Sequence, residues 1–174
     1  LYLIGGTMGV GKTSACRALQ QLLPNSVFLD GDWCWNIHPF QVTEETKALV
    51  LDNICYLLNR FLRCSLVESV IFCWVMDLQS TLDEILSRLD TSDCRVKSIS
   101  LVCHPEVLLK RLQKDVDEGL REPDILERAP ARLSRYGALD TVKLDVLAST
   151  PQEVAMQIAA QQTGCAMMGG RDSP

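Results

Sequence analysis

Two hydrophobic periods alternate along this chain. Leu1-Tyr2-Leu3-Ile4 is a short apolar run of strand type, after which Cys16, Leu19, Leu22 and Leu23 fall at helical spacing. Pro24-Asn25 then make a turn, and Ser26-Val27-Phe28-Leu29 read as a second strand. Thr43, with Glu44, Glu45 and Thr46 behind it, caps a long predicted helix. Leu49, Val50, Ile54, Leu57, Leu58, Phe61 and Leu62 mark its apolar face. The continuous apolar run from Ser69 to Met76 has the length of a strand covered on both faces.

The alternation continues to the end of the chain. A helix is predicted over 80–89, a strand over 95–102 and a helix from Pro105, with Val107, Leu108 and Leu112 apolar. The polar stretch from Asp115 to Asp124 contains Gly119 and Pro123 and reads as a loop or lid. A helix resumes over 125–136, a last strand spans 142–146, and Pro151 opens a helix expected to end near Gly164. Strands alternating with helices predict an α/β fold, a parallel sheet with helices on both faces. One domain over 1–164 is expected, with a short lid at about 115–128 and a loose tail over 165–174.

One stretch interrupts the periodic pattern. Gly6-Thr7-Met8-Gly9-Val10-Gly11-Lys12-Thr13 lies between the first strand and the first helix and reads Gly-x-x-x-x-Gly-Lys-Thr. Glycines at these positions let the backbone curl so that successive N–H groups point inward at phosphate oxygens. The helix that starts at Lys12 adds its partial positive charge and unpaired amides. Lys12 can reach the β- and γ-phosphates, and the Thr13 hydroxyl can ligate Mg²⁺ bridging them. The predicted nucleotide-binding residues are therefore Gly6 through Thr13 and the adjacent Ser14.

Composition narrows the function classes. The 174 residues suit one domain with a substantial core. A net charge of −5 disfavours binding of nucleic acid through a basic surface. Seven of the 17 lysines and arginines lie between Lys110 and Arg135, interleaved with six acidic residues, so this window is mixed rather than basic. The eight cysteines form no Cys-x-x-Cys pair, and with only two histidines they read as reduced buried thiols. No segment approaches a transmembrane span, and a cytoplasmic location is expected.

The remaining candidates follow the second and third strands. Asp30-Gly31-Asp32 ends strand two, at the carboxyl edge of the sheet where ligands of α/β folds lie. Two residues apart along a strand end, Asp30 and Asp32 are expected to point the same way. The same three residues are also good turn chemistry. Asp77 ends the long apolar run, as a metal-binding carboxylate or as a helix cap, a role Ser80 could also take. Trp33 and Trp35 either line a pocket or pack beneath the long helix, and His38 before Pro39 reads as a structural loop residue.

Taken with its strand–loop–helix setting, the chain resembles the small P-loop kinases, a group that includes shikimate kinase, gluconate kinase, chloramphenicol phosphotransferase and the nucleoside-monophosphate kinases. The resemblance is specific at the phosphate loop, at Phe28-Leu29-Asp30-Gly31-Asp32, and at Arg121-Glu122-Pro123 with the later Arg132-Leu133-Ser134-Arg135-Tyr136. It implies a five-stranded sheet of order 2-3-1-4-5 and a mobile lid. It also implies ATP as co-substrate, Mg²⁺ held by Thr13 and Asp30, and Lys12, Asp32, Arg121 and Arg132 as the catalytic set. Asp32, Trp33 and Trp35 would meet a small-molecule acceptor, and Arg111 falls where relatives place an adenine-contacting arginine. No Asn-Lys-x-Asp segment supports guanine specificity, and the acceptor-side residues match neither the shikimate nor the gluconate pattern. A non-kinase NTP-binding protein or slow regulatory ATPase is the alternative reading.

Overall fold

The computed structural model describes residues 1–147 and 149–161. Five strands form one all-parallel sheet: β1 (Tyr2–Gly6), β2 (Ser26–Asp30), β3 (Ser69–Cys73), β4 (Lys97–Val102) and β5 (Val142–Asp145), in the order β2-β3-β1-β4-β5. The order anticipated from the resemblance is the order found. Between the strands run α1 (Lys12–Leu22), α2 (Glu44–Leu62), α3 (Gln79–Ser87), α4 (Pro105–Asp117) and α5 (Ile125–Leu133), and α6 (Pro151–Ala160) follows β5.

Alternation along each strand divides the interior in two. Ile4, Phe28, Ile71, Cys73, Ile99 and Leu101 face a cluster shared with α1, α4, α5 and α6. Leu3, Leu29, Val70 and Phe72 face the opposite cluster, built with α2 and α3. Asp30 has the parity of Phe28, so it points to the α1 side. Trp74 has the parity of Phe72 and packs on the α2 side. This parity decides which side chains can meet at the carboxyl edge.

Several boundaries differ from the pattern-based expectation. β3 stops at Cys73 rather than Met76: Trp74 N donates to Ile4 O at 3.2 Å as the last sheet bond, and the chain then leaves the sheet. Asp77 therefore does not end a strand. It caps no helix either, since α3 begins at Gln79 with Leu78 as its uncapped N-cap residue, and Ser80 lies inside the helix. After Asp30 the backbone turns into a 3₁₀ segment over Gly31–Trp35, so the strand alternation that would align Asp30 with Asp32 does not apply. Gly31 is the residue that permits this turn, because a Cβ there would lie 2.6 Å from the Trp74 ring. Likewise α5 ends at Leu133 and a 3₁₀ segment carries Ser134–Ala138, so the helix predicted over 125–136 stops before Arg135 and Tyr136.

The capping readings fare better. Thr43 and Thr46 form a reciprocal capping box at the start of α2. Leu49, expected on its buried face, is half exposed, while Val50, Ile54 and Leu58 are fully buried. α4 runs through Asp117, into the predicted loop, and closes in a Schellman motif: Gly119 N donates to Val116 O and Leu120 N to Asp115 O, with Gly119 at φ 69°. Cys16, Cys55, Cys73 and Cys103 are buried, and the cysteines among the described residues are all free thiols. The expected helix end near Gly164, the tail and Cys165 lie outside the described residues. No helix among the described residues is long and apolar enough to cross a membrane.

Candidate functional site

The loop between β1 and α1 is shaped by its glycines. Gly9 has φ 78°, and a Cβ on it would come within 2.5 Å of Leu112, so only glycine lets the loop lie this close to α4. Gly11, at φ 105°, caps α1 without a side chain. Thr7 is fully buried, and its hydroxyl donates to Ala129 O at 2.8 Å, fastening the loop to α5. Met8 and Val10 pack into the α1-side cluster, and Ser14 is exposed on the first turn of the helix.

Lys12 is buried and its ammonium donates to Thr7 O at 3.1 Å. Burial lowers its pKa, and the nearby Cys73, Asp32 and Asp30 pull it back up. An ammonium held over its own loop with little water is poised to exchange a carbonyl for phosphate oxygens.

Asp30 joins β2 to the loop. Its Oδ2 accepts a 2.7 Å hydrogen bond from Thr13 Oγ1, and its Oδ1 accepts from the Asp32 backbone N–H at 3.2 Å. One Asp30 oxygen thus caps the turn, as the turn reading expects, while the other meets the phosphate loop. A hydroxyl and a carboxylate this close present the hard oxygens that Mg²⁺ takes. Among the described residues there is no group of three or more His, Cys, Asp and Glu that could hold a metal without help. An ion on Thr13 and Asp30 would complete its shell with phosphate and water oxygens.

Asp32 is exposed as a residue, yet its carboxyl sits among Asp30, Lys12, Trp74 and Arg121. Crowding and the Asp30 charge raise its pKa, against the opposing pull of Lys12, the Trp74 indole and Arg121. Such a carboxylate can accept a proton near neutral pH more readily than an ordinary aspartate.

The two tryptophans of the turn part company. Trp33 stands edge-on to Phe28, ring centroids 5.3 Å apart, on the α1 flank beside Arg17 and Gln21. Trp35 lies on the opposite flank, 6.0 Å from Phe40 and 6.2 Å from Trp74. Trp74 gave no signal in the sequence beyond apolarity. Only the fold brings it over Gly31 and beside Asp32.

Arg111 borders a cavity of about 230 Å³ on the other side of the phosphate loop. Gly9, Val10, Gly11, Ala15, Val146 and Val154 also line it. The Arg111 guanidinium donates to Val146 O at 3.3 Å and to Val10 O at 3.5 Å. A partly apolar slot with a planar cation at its wall suits a flat base.

The four later arginines divide between local and distant partners. Arg121 donates to Asp115 at 2.8 Å, and Arg128 pairs with Asp124 at 2.8 Å. Arg132 and Arg135 both reach Asp77, at 3.3 and 2.8 Å, rather than the surface carboxylates near them in sequence. The Asp77 carboxylate is 7% exposed, whereas the Arg132 and Arg135 side chains are 39% and 51% exposed. Tyr136 is fully buried, its ring against Gly5. Its hydroxyl lies near the backbone of Gly6 and Met76 but completes no hydrogen bond among the described residues, and burial raises its pKa.

No curated protein matches the chain. Among solved structures, a tunicamycin resistance protein from Deinococcus radiodurans superimposes with a TM-score of 0.66 at 22% identity, covering 91% of this chain and 93% of that one. A gluconokinase from Sinorhizobium meliloti gives 0.64 at 20% identity, covering 90% and 87%. A shikimate kinase from Aquifex aeolicus gives 0.55 at 19% identity, covering 91% and 92%. Similarity at these identities concerns the fold. The family model described as an AAA domain matches residues 3–129, most of the chain and every residue of the phosphate loop. The chain therefore belongs to the AAA domain family, and its fold is that of the small P-loop kinases.

Proposed function

We propose that this protein is an ATP-dependent kinase that transfers the γ-phosphoryl group to a hydroxyl of a small-molecule acceptor. The observation that carries the reading is Asp32: a carboxylate with a raised pKa, within electrostatic reach of the loop lysine and of Arg121. A protein that only bound nucleotide would have no use for a proton acceptor there.

In this reading the backbone N–H groups over Gly6–Ser14 cradle the phosphates, and the base enters the slot beside Arg111. Lys12 leaves the Thr7 carbonyl for the β- and γ-phosphates. Thr13 and Asp30 would hold Mg²⁺, which would neutralise charge on the phosphates. Asp32 orients the acceptor hydroxyl and takes its proton, with the aromatic group Trp35, Trp74 and Phe40 on its flank. Trp33, on the α1 side, is an outlying acceptor contact. Arg121, carried by a lid at about 115–128, and Arg132 share the charge of the transferring phosphoryl group. Positioning and charge stabilisation supply nearly all of the catalysis in such a transfer.

The test is a panel of sugars, hydroxy acids, nucleotides and hydroxylated antibiotics assayed for acceptor-dependent ADP release. A kinase releases ADP faster with one acceptor class than with none. A regulatory ATPase or nucleotide-binding protein releases it at one slow rate throughout.

A further inference from the structure

We propose that Asp77 is a positioning residue that holds Arg132 and Arg135 against the carboxyl edge of the sheet, where the phosphoryl group transfers. The inference rests on the kinase reading and adds to it a residue that touches neither nucleotide nor metal.

The geometry separates Asp77 from its alternatives. It lies past the end of β3, its oxygens bond to neither Thr13 nor Asp30, and it caps no helix. Each of its oxygens takes one guanidinium: Oδ1 accepts from Arg132 Nη1 and Oδ2 from Arg135 Nη1. One arginine would balance one carboxylate, but here two share it, which leaves a net positive charge facing solvent. The carboxylate is buried while both guanidinium side chains stay half exposed, so N–H groups unused by Asp77 remain free for a ligand.

Three fastenings place this segment beside the phosphate loop. Thr7 bonds to Ala129, three residues before Arg132. Tyr136 packs under Gly5 at the end of β1. Asp77 supplies the third, across 55 and 58 residues of sequence. Ala129 and Arg132 stand three apart on one helix, so the arginine rises beside the loop that Thr7 anchors. A long side chain loses considerable rotamer freedom on ordering, and a buried carboxylate imposes that order before the ligand arrives.

The test compares the binding of MgADP with that of MgADP–aluminium fluoride, by calorimetry. The wild type is expected to prefer the aluminium fluoride complex. Asp77→Asn should lose about tenfold or more of that preference while keeping its MgADP affinity. Arg135→Gln, which removes the half-exposed arm on Oδ2 and leaves the Arg132 bond to Oδ1, should lose part of it. In a chain already carrying Arg132→Ala and Arg135→Gln, Asp77→Asn should cost nothing further, because it acts only through them. An undiminished preference in Asp77→Asn overturns the assignment. So does a parallel loss of MgADP affinity and melting temperature, the mark of a purely structural role. A wild type that binds neither complex overturns the kinase reading itself, and this assignment with it.

Discussion

The Thr13 hydroxyl donates to Asp30 at 2.7 Å, joining the first turn of α1 to the end of β2. The pair unites two segments of the chain at the point where a divalent cation would sit on the phosphates. Thr13→Ala is expected to raise the Mg²⁺ concentration needed for half-maximal turnover. Water can partly replace the lost ligand, so saturating Mg²⁺ should recover much of the rate. A Mg²⁺ titration of both proteins checks this.

Lys12 should prove costly to the empty protein and necessary to the loaded one. Burial lowers its pKa, so its charged form is disfavoured in the unliganded fold. A lowered lysine pKa means that stability is lost as the pH falls and the ammonium must be kept. Lys12→Met is therefore expected to melt at or above the wild-type temperature without ligand, while losing ATP affinity and transfer. Differential scanning calorimetry with and without MgATP measures both.

Asp32 carries the opposite sign. Its pKa is raised in the fold, so its contribution to stability is full below the unfolded value of 3.8 and is lost as the pH rises through the folded value. At neutral pH the ionised carboxylate works against the unliganded fold. Asp32→Asn should then melt no lower than wild type at neutral pH, and any advantage should shrink on acidification. Its acceptor-dependent rate should fall by about 10²–10⁴-fold, as when a general base is removed. Melting curves across pH and the transfer assay read the two effects separately.

Arg121 pairs with Asp115 at 2.8 Å on the surface, an exposed contact worth about 0–1 kcal/mol. Its loss should barely move the melting temperature. Arg121→Ala is nonetheless expected to lower kcat by ~10²-fold or more, as the loss of a transition-state cation does. ATP should protect the 115–128 segment from proteolysis in the wild type and less so in the variant. Steady-state kinetics and limited proteolysis decide.

What could be read from the sequence follows from the range of the forces involved. The phosphate loop, the strand–helix alternation and the Thr43 cap are local and legible, because backbone curl, periodicity and capping act within a few residues. The ends of β3 and α5 were misplaced because apolarity continues past the last sheet bond at Trp74 and helical spacing continues past Leu133. The Asp77–Arg132–Arg135 cluster was illegible in a stronger sense. Nearer carboxylates at 118, 122 and 124 offered equally plausible partners, and the contacts that place the arginines beside Asp77, Thr7 with Ala129 and Tyr136 under Gly5, are long-range. Trp74 beside Asp32 is of the same kind, since a tryptophan in an apolar run reads as core until Gly31 is seen to make room for it.

In the proposed reaction the γ-phosphoryl group passes to an organic hydroxyl and not to water. The most direct measurement follows ATP labelled in its γ-phosphate, with the acceptor that most accelerates ADP release. With the wild type the label is expected in the acceptor, and Asp32→Asn should form little such product although it still binds ATP. Label recovered only as inorganic phosphate, at a rate indifferent to every acceptor and to Asp32, would contradict it.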